Sequence, residues 1–109
     1  MALKTFTITK DQIRRGAEEM EKSFSDRLPI ARICPAALCF QENGYPNARV
    51  ITERSVMLEQ AQGCVTLNLP KNLTVWILGF DGALDGRSWL EARLAFPEIT
   101  FELEIPEQV

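Results

Sequence analysis

The chain contains no histidine. That absence removes Ser-His-Asp and Cys-His catalysis, histidine-ligated zinc and the commonest general base near neutral pH. Cysteine is scarce and odd in number. Cys34, Cys39 and Cys64 cannot all pair, whereas a small secreted domain ordinarily carries an even set. All three are read as reduced thiols. Cys34 and Cys39 also lack the two-residue gap of a zinc knuckle or redox pair, so no metal is expected. No apolar run reaches the roughly 18 residues that a membrane span needs. No signal-peptide core follows the opening Met1-Ala2-Leu3-Lys4-Thr5. A cytoplasmic protein without membrane contact is the expectation.

An excess of basic charge is missing too. The net charge is −3 and the sequence pI about 5.0. Residues 1–54 carry +2 and residues 55–109 carry −5. Nucleic-acid binders show a basic face, because phosphate contacts supply most of their affinity. A nucleic-acid adaptor would have to gather Arg14, Arg15, Arg27, Arg32, Arg49 and Arg54 on one face, and it ranks below a protein partner. The glycine-rich run from Gly79 to Gly86 lacks the lysine and spacing of a phosphate loop, and no glutamate closes it as a calcium loop. No cofactor is expected.

What the chain has is the make-up of a folded domain. Its 46% hydrophobic and 25% charged residues match globular averages, and 109 residues suit a single domain spanning 1–109. Phe6 and Ile8 alternate with threonines as a first strand. Thr9 and Gln12 have capping-box spacing. Behind them Ile13, Ala17, Met20 and Phe24 recur at helical spacing over roughly residues 10–24, with i, i+4 charge pairs Arg14–Glu18, Arg15–Glu19 and Glu18–Lys22. Residues 25–32 read as a loop broken by Pro29. Pro35 suits a first helical position and Gly44 a helix stop, so a short buried helix lies between them.

From Ala48 to Leu69 the apolar period becomes two, which predicts strands of an antiparallel meander. Pro70 opens a second amphipathic helix with Leu73, Trp76, Ile77 and Phe80 as its core stripe, stopped at Asp81-Gly82. Ser88 and Glu91 have capping-box spacing ahead of a further short helix. The last strand alternates Ile99, Phe101, Leu103 and Ile105 with Glu98, Thr100, Glu102 and Glu104. The Glu98, Glu102 and Glu104 row is read as a solvated face that guards a sheet edge. The fold class is α+β: a small antiparallel sheet packed by two or three helices.

Two places invite a functional reading. Cys34 would stand at a helix N-terminus, where the macrodipole and nearby Arg32 favour a thiolate; the preferred reading is a small buried hydrophobe. Trp76 belongs to the core stripe. Trp89, with Arg87 and Arg93 beside it, has the composition of a binding hot spot, against the competing reading that Trp89 packs on the sheet. No catalytic residue is named.

Cys34-Pro35-Ala36-Ala37-Leu38, then Leu69-Pro70, Ile77, Phe80-Asp81, Phe96 and Phe101-Glu102-Leu103 together resemble a loose family of small uncharacterised phage and bacterial proteins. The family's marks are a Cys-Pro-x-Ala-Leu helix, a Leu-Pro helix start and a Phe-x-Phe-x-Leu-like ending. This chain departs from it in a longer stretch between Asp81 and Phe96 and in a proline within the final aromatic motif. The resemblance implies an accessory protein of a phage or mobile element with no assigned activity. The resulting expectation is a non-catalytic interaction protein that docks on a host or viral protein, with self-association open. The alternatives are a small-ligand-binding or thiol-dependent enzyme centred on Cys34, and a nucleic-acid adaptor.

Overall fold

In the computed structural model, the described residues are 2–26, 30–61, 63–82 and 89–106. The expectations placed on Arg27, Pro29, Arg87 and Ser88, and on the side chains of Lys22, Phe24 and Trp89, lie outside the described residues. The chain opens with strand β1 (Ala2–Ile8) and turns through Thr9 into helix α1 (Lys10–Asp26). The expected capping box is formed in both directions. The Gln12 N–H donates to Thr9 Oγ1 at 3.2 Å, and the Thr9 N–H donates to Gln12 Oε1 at 3.0 Å. Ile13, Ala17 and Met20 face the core.

The segment expected to be a loop holds a helical turn, α2 (Ile30–Ile33). Ile33 packs half-buried against the core, and that burial supplies a reason for the turn which propensity alone does not. Helix α3 (Pro35–Glu42) has proline at its first position and buries Ala36, Ala37, Cys39 and Phe40. Gly44, just beyond it, has φ +108°, a conformation that favours glycine.

Three strands follow as the expected meander: β2 (Arg49–Thr52), β3 (Ser55–Gln60) and β4 (Gly63–Asn68), antiparallel in the order β2-β3-β4. Val50, Val56 and Leu58 are buried, and Val65 and Leu67 of β4 extend the same face half-buried. Helix α4 (Lys71–Asp81) buries the predicted Leu73, Trp76, Ile77 and Phe80. Helix α5 (Trp89–Leu94) and strand β5 (Ile99–Ile105) complete the described chain.

The α+β class is as expected, with the strands divided between two sheets. β5 does not join the meander. It pairs antiparallel with β1 from Ala2↔Ile105 to Ile8↔Ile99. Phe6 and Phe101 face each other across this ribbon, and Phe40 of α3 closes the cluster, with ring centroids 5.0–5.7 Å apart. Glu102 and Glu104 lie on the ribbon's wet face, while Glu98 accepts the Lys10 N–H at 2.7 Å. The Gln60 side chain at the end of β3 donates to Pro106 O at 3.0 Å, tying one sheet to the other. A single hydrophobic cluster runs through both sheets and α1, α3 and α4.

Candidate binding site along helix α4

Trp76 and Phe80 are one helical turn apart on α4. Their rings stack at 5.1 Å, and Phe96 meets both edge-on at 5.4 Å. The Trp76 indole N–H donates to Pro97 O at 2.9 Å. The helix therefore has a rigid aromatic floor. Its charged ends are arranged against its own dipole. Lys71 begins it and Asp81 ends it, where an acid and a base respectively are favoured. No basic residue stands in the last turn of α4. Arg93 of α5 supplies the missing cation. It is buried, its Nε and Nη2 donate to the carbonyls of Phe80 and Asp81 at 3.1 Å each, and its guanidinium lies 5.5 Å over the Phe80 ring.

Two recesses flank α4 beside the β2–β3 turn. One is a cavity of about 250 Å³ walled by the first turn of α3, by β2 as it runs into the turn at Glu53, and by the last two turns of α4. The other, of about 520 Å³ and more open, holds Arg54, Lys71, Thr74 and Val75. Consecutive residues of the turn thus serve opposite ends. Glu53 and Asp81 make the first acidic, and Arg54 and Lys71 make the second basic.

Cys34 lies in the wall of the first cavity, at the N-cap of α3, as its place before Pro35 implies. Burial pushes its thiol up to about 11. The backbone N–H of Ala37 pulls the other way, and the neighbouring Asp81 carboxylate adds to the rise. Desolvation thus outweighs the helix N-terminus, and the sulfur is a neutral thiol at physiological pH. Burial likewise raises Cys39, to about 12. The Asp81 carboxyl is raised by desolvation; Arg93 draws it down, and Glu53 pushes it further up. Among the described residues neither the Asp81 nor the Glu53 carboxylate makes an ion pair or hydrogen bond.

Of the three residues expected to form a contact patch, Arg93 is at the α4–α5 junction, Trp89 begins α5 with its side chain outside the described residues, and Arg87 is outside them altogether. Arg14 and Arg15, two of the arginines a nucleic-acid surface would use, are held on α1 by Asp11 and, for Arg15, by Glu42. No group of three or more metal-ligating side chains converges among the described residues, and no helix there is long and apolar enough to cross a membrane. The sequence reading missed Glu53 and Asp81 as site residues. The signal for Asp81 was present, since an acid closing a helix with no base in its last turn is placed against the dipole. No family model matches the chain, and no curated protein or solved structure is significantly similar to it.

Proposed function

We propose that this chain is a non-catalytic accessory protein of a phage or mobile element, acting in the cytoplasm, which binds a host or viral protein through the outer face of α4. The observation that carries this reading is on that helix. Val75 and Leu78, three residues apart, are 60% and 54% exposed, opposite the buried stripe of Leu73, Trp76, Ile77 and Phe80. A helix that is apolar on both faces is characteristic of a buried helix, and α4 has cover on one face only among the described residues. The neutral thiols of Cys34 and Cys39 favour binding over thiol chemistry.

The test is capture of a partner by the tagged protein, with and without nuclease, beside the double variant Val75→Glu, Leu78→Glu. The expected result is one stoichiometric, nuclease-resistant protein that the double variant no longer recovers. Because both sites are exposed, stability should change by only about 0.5 kcal/mol per site. Equal recovery by the variant would overturn the assignment of α4, and loss of partners to nuclease would favour a nucleic-acid adaptor. A doubled mass in light scattering, reversed by the same variant, would identify a second copy of the chain as the occupant. A second reading, small-ligand binding beside Cys34, is favoured by the cavity between α3, β2 and α4.

A further inference from the structure

We infer that the cavity between α3, β2 and α4 receives an organic monocation: an ammonium or guanidinium group on a short apolar stem. The inference rests on the reading of that cavity as a ligand site and adds the chemistry of its occupant. Size comes first. At about 250 Å³ the cavity falls below the roughly 300–1,000 Å³ of pockets that hold drug-sized molecules, so its occupant is no larger than a long side chain. Its deep wall is apolar and fixed, with Val50, Trp76, Ile77 and Phe80 all less than a tenth exposed. That wall suits a hydrocarbon stem.

Charge decides the headgroup. Glu53 and Asp81 both line the cavity, and neither has an ion pair or hydrogen bond among the described residues. Arg93, which draws the Asp81 carboxyl down, directs two of its N–H groups to main-chain carbonyls. Among the described residues two carboxylates thus face one guanidinium, and desolvation raises the Asp81 carboxyl. A bound cation relieves that penalty, and an anion adds to it.

The experiment uses n-butylguanidinium and n-butylammonium as probes, with butyramide as the neutral comparator. Binding is read by calorimetry and by the Trp76 indole N–H resonance. Both cations are expected to bind and to shift that resonance, and butyramide is not. Asp81→Asn should weaken the cations about tenfold or more. Glu53→Gln, at a half-buried position of the β2–β3 turn, should weaken them in the same direction. Equal binding of butyramide would overturn the charge inference while leaving the cavity a ligand site. Silence from all three probes would overturn both. Unchanged affinity in both variants would also sink the inference, because the carboxylates would then play no part. A capped arginine amide separates the two sources of such a group. Binding as tight as that of the alkyl cation marks the side chain of a peptide, and much weaker binding marks a free amine; loss of all affinity for both would refute the cation site itself.

Discussion

At the scale of single residues, one close approach in this fold involves a residue with no side chain. Gly16 sits in the middle of α1, where alanine would ordinarily be the better helix former. A Cβ there would lie 2.6 Å from Pro35 Cδ and 2.7 Å from its ring nitrogen. The obstacle is a rigid ring at the first position of α3 and cannot swing aside. Gly16→Ala is therefore expected to destabilise the protein by about 1–3 kcal/mol, despite the gain in helix propensity, through overpacking. Urea denaturation checks it, and a stabilised variant would show that α1 and α3 are not held so closely. The sequence offered no hint of this. A glycine inside a helical pattern marks a cost, and only the neighbour across the interface explains it. Cys34 was easier: its place before Pro35 located it at the α3 N-cap, and the tendency of a free cysteine to act as a small hydrophobe argued for burial. The balance between dipole and desolvation is three-dimensional, and it came down on the side of desolvation.

At the scale of elements, local signals were faithful and distant pairings were silent. The Thr9–Gln12 box, Pro35 at the start of α3, Pro70 before α4 and the Leu73-Trp76-Ile77-Phe80 stripe all depend on residues within two helical turns of one another. Each was legible. The capping box stands at the junction of β1 and α1, where Thr9 is the sole residue between them. Thr9→Ala should accordingly cost about 1 kcal/mol, measured as a fall in the urea midpoint at unchanged slope. A loss within error would mean that tertiary packing alone starts the helix. The alternation in β5 said that one face is wet and one is buried, but not which strand lies beside it. β1 and β5 join the two ends of the described chain, and no local pattern encodes that choice. The same applies to Arg15. Spacing along the helix offered Glu19, yet its guanidinium takes both oxygens of Glu42 on α3, at 2.7 Å each. The exposed edge of β5 is managed by side chains, as with Asn72 donating to Thr100 O at 3.2 Å.

At the scale of the whole molecule, the two sides are built on opposite electrostatic principles. Where α1 meets α3, each acid is partnered. Hydrogen bonds from Arg15 hold the Glu42 carboxyl below its usual range, and Gln12 assists. Where α4 meets β2, neither Glu53 nor Asp81 has an ion pair or hydrogen bond among the described residues, and desolvation raises Asp81 against the pull of Arg93. The two have opposite consequences for stability. Glu42 is depressed in the folded state, so its contribution is present above the unfolded pKa and lost as pH falls through the folded one. Asp81 is raised, so its protonated form favours folding below the unfolded pKa, and that contribution is lost as pH rises through the folded value. Glu42→Gln should thus destabilise at pH 7 and cost little in strong acid. Asp81→Asn should stabilise at pH 7, with the gain vanishing below the aspartate range. Both residues keep contact with water, so solvent screening limits each effect to about 1 kcal/mol or less. Thermal melts of both variants between pH 3 and pH 7 would test the pair. If Asp81→Asn is neutral or destabilising at pH 7, the carboxylate is not held at a cost, and the argument for a cation in that cavity loses its footing. If the variant gains stability and loses the cation, the same charge both weakens the fold and makes the site, as expected where a local rule is broken for function.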